Sequence, residues 1–204
     1  MSPDDLLAAA TADLPAGDDP VSHILDYFNA CFDDTTGRLH IAVGQEPYLH
    51  NDKYKFKKFI QSHFAYPDEA DHAAREILRE ATLYDVYVCP YLMWANKRAQ
   101  GAAVNHILVH ADVDNGRLDL DKVRTLGGFA IGSGTPGNGH VYVPLSASVT
   151  QPQHRQLCQA LRKYFDAADA KISDNDLLRP PGTWNYKPTL AGGEPAPVGW
   201  AGRQ

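Results

Sequence analysis

Apolar residues recur along the chain at two different periods, and each change of period marks a new element. Between Val21 and Phe32, the apolar residues Ile24, Leu25, Phe28 and Phe32 fall at helical spacing behind an Asp-Pro start, which predicts a helix. Arg38 to Val43 (RLHIAV) alternates like a short strand. A second helix is predicted after Pro67, capped by Asp68, with Ala70, Ala73, Ala74, Ile77, Leu78 and Ala81 on its apolar face. Tyr84 to Met93 (YDVYVCPYLM) reads as a strand that Pro90 places at an edge or a bulge. From His106 onward, HILVHADVD is a strand, FAIGSGTPGNGHVYVPL is two strands joined by a Gly-rich loop, and QPQHRQLCQALRKYFDA is an amphipathic helix. Its apolar side carries Leu157, Ala160, Leu161, Tyr164 and Phe165. Strand, hairpin, helix and strand in that order suit a small sheet with helices on one face, as in the split ferredoxin-like arrangement.

The ends differ in composition from the middle. Residues 1–20 are acidic and contain three prolines, and read as a flexible segment; PTLAGGEPAPVGWAGRQ, after Lys187, is rich in Pro and Gly and reads as a linker. The chain thus divides into a flexible segment 1–20, a folded unit 21–188 with subdomains of about 21–105 and 106–188, and a linker-like tail 189–204.

With 204 residues, 44% of them hydrophobic, the chain is long enough to bury a core without staples. Cys31, Cys89 and Cys158 stand far apart with no C-x-x-C spacing, which argues against a disulfide framework or a zinc knuckle and fits a reducing cytoplasm. No apolar run approaches about 18 residues, and the N-terminus is acidic where a targeting peptide would be basic, so no membrane partner is expected. A formal net charge of -6 disfavours coating of nucleic acid by bulk electrostatics but permits a local basic groove. The densest positive charge lies in NDKYKFKKFI, where Lys53, Lys55, Lys57 and Lys58 interleave with Tyr54, Phe56 and Phe59. Two readings stand: a solvated strand edge or helix face, or a nucleic-acid track in which lysines meet phosphates and an aromatic stacks on a base.

Three stretches carry chemistry. In HADVDNG, Asp112 and Asp114 are two apart on a strand and project from one face. Such a pair repels itself unless a cation or basic groups lie opposite, and a hard divalent cation is the simplest partner, although a strand running into an Asp-Asn-Gly turn explains Asp114 as well. His110 shares their face and reads as a supporting residue at most. In SGTPGNGH, a glycine-rich loop separates Ser133 from His140; its free amides, the hydroxyl and the imidazole suit phosphate oxygens, and a plain flexible hairpin would look similar. In KISDNDLLRPPGTWNYKP, Asp174 and Asp176 precede Arg179, a Pro-Pro-Gly turn, Asn185 and Lys187. Carboxylates followed by a guanidinium, an amide and an ammonium suit a metal-bound triphosphate.

In this order the three stretches resemble the three motifs of the archaeo-eukaryotic primase superfamily, in particular its phage and plasmid prim-pol branch. The resemblance covers Ile107 to Lys187 and is carried most specifically by LLRPPGTWNYK. It implies an α+β fold with an RRM-like, split ferredoxin-like sheet in the C-terminal half and an α/β N-terminal subdomain. It also implies a template-dependent nucleotidyltransferase, a DNA primase or DNA polymerase or both, encoded by a phage or plasmid and working in the cytoplasm of a bacterial host. Its partners would be a single-stranded DNA template and nucleoside triphosphates, often with a helicase domain on the same full-length chain.

By the same resemblance Asp112, Asp114 and a third carboxylate would hold two Mg²⁺ or Mn²⁺ ions, and Ser133, His140, Arg179, Asn185 and Lys187 would hold the nucleotide. The family's third Asp stands six residues before the motif Arg, where this chain has Ser173; Asp174 is the choice, Asp176 an alternative and Asp169 a remote one. Rival readings are a non-catalytic nucleotide- or single-stranded-DNA-binding module and another enzyme with paired acids on a sheet, such as a nucleotidyl cyclase.

Overall fold

In a computed structural model of the protein, which describes residues 19–51, 53–166 and 171–202, helix α1 (Pro20–Phe32) begins where the pattern places it. The Asp19 carboxylate accepts from the Val21 amide at 3.1 Å, and proline in the first turn gives up a donor that would have no partner there anyway. The helix buries Ile24, Tyr27, Phe28, Cys31 and Phe32. Two 14-residue strands follow, β1 (Gly37–His50) and β2 (Lys53–Tyr66), paired antiparallel from Gly37 opposite Tyr66 to His50 opposite Lys53. Only the first half of β1 is buried, so the far end of this hairpin is a two-stranded ribbon with its side chains largely in solvent.

Helix α2 (Ala70–Ala81) packs Ala73, Ala74 and Ile77 into the core. Asp68 does not cap it. The N-cap position is Glu69, whose carboxylate reaches back to the Ala65 amide at 2.5 Å and so ties the helix to the end of β2. Strand β3 (Asp85–Val88) completes a sheet ordered β2-β1-β3, stops before Pro90, and lies at the edge as that proline implies.

The second sheet is antiparallel and five-stranded. Its strands are β4 (Leu108–Val113), β5 (Phe129–Gly132), β6 (Gly139–Pro144), β7 (Thr183–Asn185) and β8 (Ala196–Gly202), in the order β4-β6-β5-β8-β7. Alternation along β4 divides its neighbours. Val109, Ala111 and Val113 join one core with Cys158 and Leu161 of α4 (Gln151–Tyr164), its C-cap Phe165, and Val123 of the short α3 (Leu120–Thr125), whereas Leu108 packs with Tyr142 and Ile131 in the core of α1 and the first sheet. A bridge between Val88 and Leu178, with both amides bonded at 2.8 and 3.0 Å, ties β3 to the segment that leads into β7.

Two further expectations are corrected. The C-terminal stretch is not a linker: β8 sits between β5 and β7, with Val198 buried and Trp200 packed 5.6 Å from Phe129. Its alternating Val198 and Trp200 outweigh the surrounding Pro and Gly. Helix α4 is also rotated from the expected face. It turns His154, Cys158 and Leu161 inward and leaves Leu157 and Tyr164 exposed, because the polar His154 finds hydrogen-bond partners inside. The expected flexible segment lies, for residues 1–18, outside the described residues. Among the described residues no helix is long and apolar enough to cross a membrane.

Candidate active site

Strand pairing brings the first two motifs together. Asp112 on β4 stands directly opposite His140 on β6, with His140 Nε2 3.5 Å from Asp112 Oδ1. Asp114 follows the end of β4, where Asn115 (φ 62°) and Gly116 (φ 67°) turn the chain. The glycine-rich loop closes over this turn. A Cβ on Gly137 would lie 2.7 Å from the Gly116 Cα, so only glycine permits the approach. Asn138 then bridges the two turns, accepting from the Gly116 amide at 2.7 Å and donating to Asp114 Oδ1 at 3.2 Å.

The third motif lies across from these groups. Asp112, Asp114, Ser133, His140, Arg179, Asn185 and Lys187 line one cavity of about 110 Å³, together with Tyr87, Thr135, Asn138, Lys171, Leu177 and Leu178. Arg179 is held from β3: its Nε and Nη2 donate to Asp85 Oδ1 at 3.0 and 2.6 Å, Nη2 donates to the Tyr87 hydroxyl at 2.9 Å, and the guanidinium lies 4.9 Å from the centre of the Tyr87 ring. The buried Asp85 also accepts from the Tyr54 hydroxyl at 2.7 Å. Burial opposes the Arg179 charge, but Tyr87 and Asp85 outweigh it and hold its pKa above the ordinary value. Asn185 acts as a tie between motifs: its amide donates to the Ser133 carbonyl at 3.0 Å and its oxygen accepts from the Lys187 amide at 3.1 Å.

The electrostatics divide the site into fixed and movable parts. Burial drives the His140 pKa down to about 4, so the ring is neutral at pH 7. Burial also works against an ionised Asp112, but the facing His140 and Lys171 reverse it and hold that carboxyl below its ordinary range. With His140 neutral, Lys171 is the cation that matters. Its Nζ is 2.5 Å from Asp112 Oδ2. A positive charge thus already sits against the carboxylate. Two carboxylates and a hydroxyl beside Arg179 and Lys187 form an oxygen-donor set that fits Mg²⁺ or Mn²⁺ with a polyphosphate.

No family profile and no curated protein matches the sequence. Among solved structures, the chain is similar to the primase RepB' (TM-score 0.63, 17% identity, covering 90% of this chain and 56% of that one). It is also similar to the catalytic domain of primase RepB' in complex with initiator DNA (0.62, 16%, 90% and 85%) and to the AEP domain of the cyanophage S-2L primase-polymerase (0.57, 13%, 87% and 88%). The chain shares the fold of these primase and primase-polymerase domains. The mixed helix and antiparallel-sheet architecture is the one expected.

Within this primase fold the expected third carboxylate falls elsewhere. Asp174 is buried away from the cavity, where its two oxygens accept from the Gly101 amide at 3.0 and 3.1 Å and Oδ2 lies 2.9 Å from His106 Nε2. The pull is local: burial opposes its charge, but His106 and the amide prevail and hold its pKa low. Asp176 is nearer to the motif I strand, with Oδ2 3.3 Å from His110 Nε2 and 2.8 Å from the Ser173 amide, yet it too does not line the cavity. Asp169 lies outside the described residues.

The lysine run of this primase fold lies on β2, the edge strand. Lys53, Lys55, Lys57 and Lys58 are exposed, and the last two pair with Glu46 at 3.4 and 3.1 Å. The aromatics between them are not idle. Phe56 lies 6.0 Å from Phe59 in a stacked arrangement and 6.0 Å from Tyr87 edge-on, so a row of rings leads from the ribbon to the cavity wall. Sequence reasoning missed Asp85, Tyr87, Asn138 and Lys171. Only Lys171 carried a signal, since it opens the third motif stretch; the others act through contacts distant in sequence.

Proposed function

We propose that the chain is a template-dependent nucleotidyltransferase, a DNA primase, a DNA polymerase or both, acting in phage or plasmid replication. One observation carries the proposal: three stretches far apart in sequence contribute Asp112 and Asp114, Ser133 and His140, and Arg179 and Lys187 to a single cavity. The fold supports it, being shared with chains described as a primase and a primase-polymerase. The substrates are nucleoside triphosphates and a single-stranded DNA template, with a helicase as an expected companion on a longer chain.

In this reading Asp112 and Asp114 would hold two divalent cations. When bound, such cations would supply activation of the primer 3′-hydroxyl and charge neutralisation at the pyrophosphate. Arg179, braced by Asp85 and Tyr87, offers a fixed guanidinium to the phosphates. Lys187 adds a second positive charge on the same wall, and the Ser133 hydroxyl a neutral donor. Neutral His140 can donate or accept a hydrogen bond beside Asp112 without adding charge. Asn185 positions Ser133 and Lys187 through its two bonds rather than meeting the nucleotide itself. The exposed lysines of β2 supply part of the template track.

The test is primer synthesis and primer extension on single-stranded DNA, with ribonucleotides or deoxyribonucleotides and with Mg²⁺ or Mn²⁺. Metal-dependent product is expected with at least one nucleotide set. Nucleotide and DNA binding with no product under any of these conditions would instead mark a non-catalytic binding module.

A further inference from the structure

Beneath α4, outside the cavity, His110, His154 and Cys158 converge. All three are buried, and one ligand atom from each lies within 4.8 Å of the others. His154 and Cys158 stand four apart and so share one face of α4, and His110 meets them from β4. Cys158 Sγ is 3.4 Å from His154 Nε2, close to the separation of about 3.5 Å that tetrahedral zinc imposes on a nitrogen and a sulfur ligand. The Tyr91 hydroxyl is hydrogen-bonded to both histidines, 2.7 Å from His110 Nδ1 and 2.8 Å from His154 Nε2, and would move out to the roughly 3.3 Å between ligands that share one zinc.

The surroundings are arranged as a metal-binding histidine requires. Asp176 Oδ2 is 3.3 Å from His110 Nε2, where it can accept the proton on that nitrogen and so orient Nδ1 toward the cluster. Asp176 is itself held by the Ser173 amide. On the other side His106 lies against His154, with ring centres 4.7 Å apart and planes tilted by 39°, and is anchored to Asp174. Charge closes as well: a divalent cation, a Cys158 thiolate and the Asp176 carboxylate sum to zero in a buried place, with Tyr91 neutral.

We propose that His110 Nδ1, His154 Nε2 and Cys158 Sγ bind one Zn²⁺, with the Tyr91 hydroxyl as the fourth ligand and Asp176 holding His110. Binding forms the metal–ligand bonds and releases to solvent the thiol proton and any proton carried by His110 Nδ1 or His154 Nε2. The site clamps α4 to β4 two residues before Asp112. It is chemically distinct from the oxygen-donor cavity, because sulfur and imidazole select zinc over magnesium. It does not rest on the proposed catalysis, and no activity assay enters its test.

The experiment uses the full chain, refolded with excess Zn²⁺ so that burial of the site does not block entry, then freed of loose metal. A double variant, Asp112→Asn with Asp114→Asn, removes the cavity's carboxylates. One zinc per chain is expected in both proteins. Co²⁺ in place of Zn²⁺ should give tetrahedral visible bands and a thiolate-to-cobalt charge-transfer band, and Cys158→Ser should remove that band. Asp176→Asn, which keeps all the ligands, should weaken zinc about 10- to 100-fold. A refolded chain that holds no stoichiometric zinc, or a cobalt form without the thiolate band, would overturn the proposal and leave the cluster a hydrogen-bonded network. If Cys158→Ser does not fold, the cobalt spectrum of the parent chain decides alone.

Discussion

Lys171 Nζ lies 2.5 Å from Asp112 Oδ2, an ammonium set against the carboxylate proposed to hold a metal. The pairing changes what the D-x-D motif does in the absence of metal. Two carboxylates on one strand face should weaken the fold by repulsion, but here Asp112 already has a positive partner and Asp114 is hydrogen-bonded to Asn138.

Asp112→Asn therefore combines two effects. Nucleotide incorporation should fall at least about 100-fold if the carboxylate holds metal, a loss of roughly 2.7 kcal/mol in transition-state stabilisation. In chelator the melting temperature should fall rather than rise, by about 2–4 °C for each kcal/mol that the pair contributes. Lys171 keeps a third of its side chain exposed and can turn to solvent, which limits that loss. Thermal melts in chelator check the sign, and Lys171→Met should show whether the lysine competes with Mn²⁺ by tightening Mn²⁺ binding in calorimetry.

Asp85 should prove as important as the residues it holds. It is buried, and it is the carboxylate against which Arg179 is fixed. Asp85→Ala leaves a nearly buried guanidinium without its anion, and such a loss typically costs about 3–5 kcal/mol. Asp85→Asn keeps the shape and should raise nucleotide KM about tenfold while template affinity stays constant. An equal loss of template affinity would move Arg179 from the nucleotide pocket to the DNA groove.

Stability should also depend on pH through His140. Its folded pKa is about 4 and its ordinary value 6.5, so the unfolded chain takes up the proton first as pH falls. The neutral ring's contribution is complete above about pH 6.5 and is lost progressively down to about pH 4, by about 3 kcal/mol at most. Asp112, whose pKa is depressed, adds its own loss only below its ordinary carboxylate range. Denaturant titrations from pH 7 to 4.5 should show this slope, and His140→Gln should flatten it. An unchanged slope would place the acid sensitivity elsewhere.

The ribbon makes a separate prediction. Replacing Lys53, Lys55, Lys57 and Lys58 with alanine should weaken binding to single-stranded DNA and reduce its salt slope by about 0.7 for each phosphate no longer neutralised. Lys53 and Lys55 should account for most of this, because Lys57 and Lys58 already share Glu46. Nucleotide affinity without DNA should not move. An unchanged slope would return the lysines to a merely solvated edge.

What the sequence revealed follows from how local each signal is. Helix α1, the hairpin β5–β6 and the strand carrying Asp112 were legible because periodicity, a proline start and a glycine loop are written within a dozen residues. The set of seven cavity residues was legible because each motif pairs a residue type with a fixed spacing. Asp85 was not, since nothing near it in sequence announces Arg179, 94 residues away. The placement of Asp174 was not legible for the same reason: its position in the motif is visible, but the Gly101 amide and His106 that draw it inward are not. Strand β8 was hidden by composition, because Pro197 and Gly199 suggest a linker until a partner strand stands on each side.

Template-directed incorporation tests the account most directly. A primed single-stranded DNA of known sequence, one nucleoside triphosphate at a time and Mn²⁺ are sufficient, with Asp114→Asn as the blank. The chain should add only the nucleotide complementary to the next template base, releasing one pyrophosphate per addition, and the variant should add none. Addition that ignores the template, or addition that persists in the variant, would contradict it.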